Sequence, residues 1–367
     1  MNEPFQHTDI KIALIGGGTG SFTLLSVLKE HTSQIAAIVN MADDGGSTGV
    51  LRDELGTLPP GDVRQCLVAL SDSPKVRELF DYRFEEGTFG GHSFGNLLLT
   101  ALEKTTGSFA EAVETASEIL RVNGTVIPAT LDDVRLKMSW PRTSLTLNGE
   151  RVIDAYHFKK NPRKAKLSLE PTPTVNPIAI AAIRQADLVV IAPGDLYTSL
   201  GPLLVIDGIG DALRQTSATV AYVCNLVTKQ GQTDGFTVSE HASEIERFGG
   251  GDFLDAVVYN SQVPSRALTK RYEDEGAYLV KVDEAVLAKR PYSLIGGNFI
   301  GAMAKRKASE HTLPVTRSLI RHNAEAVSEA LIELAHRRQA RMTRQYAGSR
   351  HKPNLTNKHK RDKIDLS

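Results

Sequence analysis

The chain predicts an α/β fold of the Rossmann-like, doubly wound kind with a mainly parallel sheet, and three observations carry that reading. An apolar run, Ile12 to Ile15, enters a glycine cluster, Gly16-Gly17-Gly18-Thr19-Gly20, and a helical pattern and a second apolar run, Ile35 to Val39, follow within about thirty residues. Later runs are uniformly apolar, at Leu188 to Ile191, Thr219 to Val223 and Ala256 to Tyr259, as strands covered on both faces require. Polar and glycine-rich clusters recur where those runs end, which is where such sheets bind ligands.

In order, helical spacing at Phe22, Leu25 and Leu28 follows the first strand, and further helices are expected near 62–71, 93–105 and 108–121. Residues 124–170 change character. Asn148-Gly149 between β-type runs reads as a hairpin turn, and the neighbouring lysines and prolines suggest an exposed β excursion. Asn176-Pro177 reads as a helix cap followed by proline at the first helical position. A last helix is expected over 322–339. The expected organisation is one domain over 1–335, then a basic tail over 336–367, read as disordered beyond about Ala340.

With 367 residues, 41% of them hydrophobic, and 43 Lys+Arg against 43 Asp+Glu, the composition excludes a disordered chain, a collagen-like repeat and a disulfide scaffold. Cys66 and Cys224 each lie inside an apolar segment and read as buried thiols. No run of about 18 apolar residues occurs, so no membrane span is expected. The opening MNEPFQHTDIK is unlike a signal peptide, and the expected location is the cytoplasm. Arg337 to Ser367 holds ten Lys/Arg against Asp362 and Asp365, so the tail carries about +8 and the body about −8. Such a tail can touch nucleic acid or anionic lipid weakly, or simply solubilise the chain.

Several clusters at strand ends suit ligand chemistry. Gly17, Gly18, Thr19 and Gly20 let a backbone approach a phosphate from a helix N-terminus, although the spacing is neither G-x-G-x-x-G nor a Walker loop. Asn40 stands where NAD-binding folds usually place an acid for the ribose, which disfavours an NAD-dependent oxidoreductase. Asp43, Asp44, Gly46 and Ser47 form the densest polar cluster, fit either for sugar hydroxyls or for Mg²⁺ bridged to a diphosphate, the alternative being a solvated turn. Arg52 is placed to pair with a phosphate or with these acids. Asp62, after Pro59-Pro60-Gly61, reads equally as a helix cap or a ligand group.

Gly91-His92-Ser93-Phe94-Gly95 matches the nucleophile-elbow pattern, but the preceding FEEGTFG is no strand, so the hydrolase reading fails its context. Ser93 is expected to cap the helix after it, with His92 and Asn96 lining the pocket. The ten histidines show no metal-ligand spacing, and no zinc site is expected.

GGGTG, ADDGGSTGVLR, PPGDVRQCLVALS, GHSFGNLLL, PGDLYTSLGPLLV, CNLVTKQGQTDGF and the late Arg321-His322 together resemble the CofD-like superfamily, within it the YvcK-type branch of gluconeogenesis factors. The resemblance spans roughly 11–335; the tail and the stretch 293–312 fall outside its pattern. It implies a cytoplasmic regulator that binds a UDP-sugar such as UDP-N-acetylglucosamine, needs no other cofactor, and is linked to gluconeogenic growth, cell-envelope synthesis and cell shape. Protein partners in envelope synthesis and a homo-oligomer are expected with it. It also implies roles by motif. Gly17 to Gly20 cradle the diphosphate, Asn40 and Asp43 to Ser47 hold sugar or ribose, Tyr197, Thr198, Asn225 and Thr233 complete the wall, and Arg321 anchors the ligand. The enzyme relatives are 2-phospho-L-lactate transferases that use Mg²⁺; under that alternative Asp43 and Asp44 hold the metal.

Overall fold

The computed structural model describes residues 7–274, 276–301 and 321–349. Strand β1 (Ile12–Gly16) leads through α1 (Gly18–His31) to β2 (Ile35–Val39). Five helices follow, α2 (Gly46–Leu55), α3 (Pro60–Leu70), α4 (Pro74–Asp81), α5 (Phe94–Thr106) and α6 (Phe109–Leu120), before β3 (Thr125–Pro128). The excursion comprises β4 (Arg135–Ser139), β5 (Thr146–Asn148), α7 (Glu150–Ala155) and β6 (Lys166–Glu170). The α/β rhythm resumes with α8 (Pro177–Gln185), β7 (Leu188–Ile191), α9 (Gly201–Leu204), α10 (Ile209–Gln215), β8 (Thr219–Val223), α11 (Val238–Phe248) and β9 (Ala256–Asn260). The chain then forms α12 (Arg266–Asp274), α13 (Glu284–Leu287), β10 (Ser293–Gly297) and α14 (Ala324–Ser349).

The main sheet has seven strands in the order β10-β9-β8-β7-β1-β2-β3, all parallel. Alternate residues of each strand enter different cores, because successive side chains of a strand point to opposite faces. Ala13, Ile15, Ile38, Val189, Ile191, Val220 and Tyr222 pack on one face with α8, α10 and α11. Ile12, Leu14, Val39, Leu188, Val190 and Val223 pack on the other with α1, α3 and α14. That division is the reason the strands read as unbroken apolar runs.

The expected fold class holds, and local differences have physical causes. Asn148-Gly149 is not a hairpin turn: β5 ends at Asn148, and Gly149, with φ of 92°, opens α7. The hairpin closes earlier, where the Thr143 amide donates to the Trp140 carbonyl at 3.2 Å. Nor is the excursion fully exposed. Its antiparallel sheet, β5-β4-β6, alternates along β4, and Leu136, Met138, Leu147, Leu167 and Leu169 turn inward to the core under the main sheet.

Asn176 does cap α8, accepting from the Ile178 amide at 3.0 Å, and Ser93 caps α5, accepting from the Asn96 amide at 3.3 Å. Asp62 does not cap α3: that helix opens at Pro60, whose ring suits the first helical position, and leaves Asp62 as its third residue. The helices α2 and α4 escape the periodicity reading, since α2 opens on Gly-Ser-Thr-Gly and α4 has only eight residues. Cys66 and Cys224 are buried free thiols, each with its pKa raised by burial, Cys224 to about 12. The last helix runs to Ser349, and the tail from Arg350 lies outside the described residues. Among the described residues no helix is long and apolar enough to cross a membrane.

Chain direction across the sheet reverses between β1 and β7, the neighbours from which the order runs outward both ways. There the two strand-end loops touch: a Cβ on Gly20 would lie 1.8 Å from the Pro193 carbonyl oxygen. Gly20→Ala should therefore cost on the order of 3 kcal/mol, as overpacking against rigid backbone does. Urea denaturation measures it, and a loss within about 0.5 kcal/mol, the range of inert surface changes, would refute the close approach.

Candidate functional site

In open α/β sheets ligands bind at the carboxyl ends of the strands where the strand order reverses, and several of the sequence-predicted residues lie on the segments that leave those ends. Gly18, Thr19 and Gly20 form the first turn of α1, and Gly46 and Ser47 the first turn of α2. Neither helix has a side-chain cap, and neither has an acidic residue in its first turn. Two helix N-termini, each with first-turn amides unmatched within the helix, thus follow the neighbouring strands β1 and β2.

Protein contacts account for much of the glycine cluster. Gly16 faces the Ser21 hydroxyl, 2.5 Å from an added Cβ, and Gly17 faces the Asp62 carboxylate, 2.1 Å from one. The α1 terminus therefore already lies against an anionic group, as its dipole favours. Ser21 is a residue that sequence reasoning missed: its hydroxyl is buried beneath the loop and has no hydrogen-bond partner among the described residues.

The acidic loop is strongly ordered by its own bonds. Asn40 is buried and accepts from the Ala42 amide at 3.1 Å; Asp43 accepts from the Gly45 amide at 2.9 Å. Asp44 accepts from the Arg151 amide at 2.7 Å and faces the Arg135 guanidinium at 3.8 Å. Arg52 turns away from ligand space. Its buried guanidinium binds Asp133 and the carbonyls of Asp43 and Val134, both at 2.8 Å, tying the loop to the excursion.

Ser47 meets the segment before α5. Its hydroxyl pairs with His92 Nδ1 at 2.9 Å, and Asn96 Nδ2 donates to it at 3.4 Å. Arg64 Nε donates to Asn96 Oδ1 at 3.0 Å and pairs with Asp81, so His92 and Asn96 belong to a network reaching back into α3 and α4.

The wall implied by resemblance divides. Tyr197 is not at the surface: it is fully buried between Phe158 and Phe248, and its hydroxyl donates to Glu244 at 3.0 Å. Its position in a π-helical turn, Leu196–Leu200, rotates it inward while Thr198 approaches Asp154 at 3.5 Å. Asn225 clamps the end of β7, donating to the Gly194 carbonyl at 2.9 Å. Thr233 accepts from the Lys229 amide at 2.8 Å. Arg321 precedes α14 rather than lying in it, and its carbonyl accepts from the Gly301 amide at 2.8 Å. Next to it His322 bonds the Cys224 carbonyl at 3.1 Å, and burial lowers its pKa to about 4, so a neutral imidazole holds this segment beside the end of β8.

Sequence reasoning also missed a second set of charges. Glu150 and Asp154, one turn apart on α7, come up beside Asp43 and Asp44, and Asp195 joins them from the end of β7. Lys229 Nζ lies 2.7 Å from Asp195 Oδ2 and also binds Asp154. Burial opposes the Lys229 charge, but Asp195 and Asp154 outweigh it and hold the pKa above its ordinary value. Burial first, then Asp43, Asp154 and Asp44, push the Glu150 carboxyl up to about 9 against the pull of Lys229. Asp195 and Lys229 carried a sequence signal, as parts of the PGDLYTSLGPLLV and CNLVTKQGQTDGF segments; α7 is brought in by tertiary packing.

Asp43 and Asp44 each give an oxygen to a backbone amide, Lys229 already bridges Asp154 and Asp195, and among the described residues no three His, Cys, Asp or Glu side chains are grouped to hold a metal.

A parallel sheet with its polar loops gathered at the reversal of strand order defines a Rossmann-like α/β protein. The profile of the family described as 2-phospho-L-lactate transferase CofD matches residues 12–300. A gluconeogenesis factor of Bacillus subtilis is 37% identical over 328 residues, covering 88% of this chain and 98% of that protein. The gluconeogenesis factor of Halalkalibacterium halodurans is 38% identical over 326 residues, covering 88% and 95%. A crystal structure of a UPF0052 family member from Bacillus halodurans superposes with a TM-score of 0.77 at 38% identity, covering 88% of this chain and 99% of that one. The chain belongs to the CofD family, in its gluconeogenesis-factor (YvcK, UPF0052) branch.

Glu150 provides a pH signature. Its carboxyl titrates near 4.5 when unfolded and about 9 when folded, so the folded chain binds the extra proton between those values. The stabilisation is complete below the unfolded value and is lost as pH rises through the folded one. Between about pH 7 and 9.5 the Tm of the parent should fall more steeply than that of Glu150→Gln, which stays neutral. Parallel Tm curves for the two proteins would contradict the shift.

Proposed function

We propose that this protein is a nucleotide-sugar-binding regulatory factor that serves gluconeogenic growth and cell-envelope maintenance, and that it binds UDP-N-acetylglucosamine or a close relative at the reversal of strand order. The observation that carries the reading is the pair of helix N-termini, of α1 and α2, that follow the neighbouring strands β1 and β2 without a side-chain cap, the first of which already draws the Asp62 carboxylate as it would draw a phosphate. Such termini offer backbone amides and positive dipole ends to a diphosphate. The Ser47–His92–Asn96 network and the loop at Asn40 supply polar groups beside them for sugar or ribose hydroxyls. Asn40 in place of an acid keeps NAD the poorer ligand.

A second reading, transfer chemistry of the phospholactate type, has the description of the matching family in its favour. The acidic loop favours a Mg²⁺-assisted version less, because one oxygen of each of its two carboxylates already accepts from a backbone amide.

Titration calorimetry against UDP-N-acetylglucosamine, GDP and NAD⁺ tests the assignment. UDP-N-acetylglucosamine should bind tightest, and its affinity should survive EDTA; equal binding of NAD⁺, or affinity abolished by EDTA, would overturn it. Arg321→Ala should weaken the sugar nucleotide about ten- to hundredfold if its guanidinium contacts phosphate, with Arg321→Lys recovering part. Unchanged binding would confine the site to the strand-end loops.

A further inference from the structure

We propose that Lys229 is a built-in cation that takes the place of a divalent ion between Asp154 and Asp195, so that the carboxylate-lined crevice is neutralised without metal. Three elements converge on it. Asp154 comes from the last turn of α7, Asp195 from the segment after β7, and Lys229 from the segment between β8 and α11. The ammonium bridges the two carboxylates, 2.7 Å from Asp195 Oδ2 and in direct contact with Asp154.

Its placement is built rather than incidental. The Lys229 carbonyl accepts from the Gln232 and Thr233 amides at 3.0 and 2.9 Å, and the Thr233 hydroxyl accepts from the Lys229 amide at 2.8 Å, which closes a tight turn. Gln232 Nε2 then donates to the carbonyls of Ile153 and Asp154, at 2.9 and 3.0 Å, and sews that turn to the end of α7. A flexible surface lysine would be free to swing; here the root of the side chain is fastened to the same helix that carries Asp154.

The carboxylates it joins are partly open to solvent, with 43% of the Asp154 and 41% of the Asp195 side chain exposed. One or two carboxylates open to water are the setting in which Mg²⁺ binds with most of its water shell retained. A tethered ammonium meets the same oxygens with three donors and pays no cost of capture from solution. Glu150 lies further along the crevice, and the same positive charge acts on its carboxyl. Lys229 is thus a positioning residue that decides metal independence, whatever ligand the crevice takes.

Removing the charge should open the position to a real ion. Mn²⁺ alone is the probe, followed by electron paramagnetic resonance and calorimetry on the full chain. Lys229→Gln should bind one Mn²⁺ at least tenfold more tightly than the parent, Lys229→Arg should stay indifferent, and Asp195→Asn added to Lys229→Gln should abolish the gain. A Lys229→Gln chain that is unstable in EDTA and restored by Mn²⁺ is the same result read through stability. Equal Mn²⁺ binding by parent and Lys229→Gln, or instability that Mn²⁺ does not relieve, would overturn the proposal. Because no nucleotide is present, failure here is distinguishable from failure of the nucleotide-sugar assignment.

Discussion

Because β1 pairs in parallel with β2 on one side and β7 on the other, the segments leaving those three strands emerge together, and Gly20 meets the Pro193 carbonyl with no room for a side chain. Everything at the crevice depends on that approach. It brings the amides of α1 beside the end of β7, while α2 follows the neighbouring strand β2. A substitution that pushed the loops apart would separate these groups without altering any of them chemically.

The charge arrangement follows from the same geometry. Crowding loops at one end of a sheet collects carboxylates from elements distant in the chain, and in a half-buried crevice their mutual repulsion is weakly screened. The protein meets this in three ways. Backbone amides hold Asp43 and Asp44, a raised pKa keeps the Glu150 carboxyl protonated at neutral pH, and Lys229 bridges the remaining pair. Arg52 and Arg135 add positive charge from behind, linking the acidic loop to β4 and the segment before it. The excursion is therefore a wall of the crevice as well as a decoration of the fold.

Much of the architecture was legible from local patterns. The apolar runs at Ile12–Ile15, Ile35–Val39, Leu188–Ile191 and Thr219–Val223 are strands because nothing but a doubly covered sheet tolerates so little polarity, and Asn176-Pro177 and Ser93 start helices by hydrogen bonds made within four residues. Such signals need no knowledge of the rest of the chain. The placement of Gly18 and Asn225 two residues beyond β1 and β8 belongs to the same class, since a motif that follows an apolar run is carried to the edge of the sheet.

Which face a side chain turns to could not be read in this way. Tyr197 and Thr198 are adjacent and both buried, yet a single π-helical turn packs one against Phe158 and sets the other near Asp154. Arg52 and Asp62 look alike as free charges beside a glycine-rich loop, but one is fastened to Asp133 and the other packs on Gly17. Lys229 lies far along the chain from Glu150 and Asp154, and the three share no motif. The sequence by itself determined the strands, the caps and the loops on which chemistry can stand; the tertiary structure alone decided which of those groups share a crevice, because long-range packing sets the distances between charges and local pattern sets only the backbone that bears them.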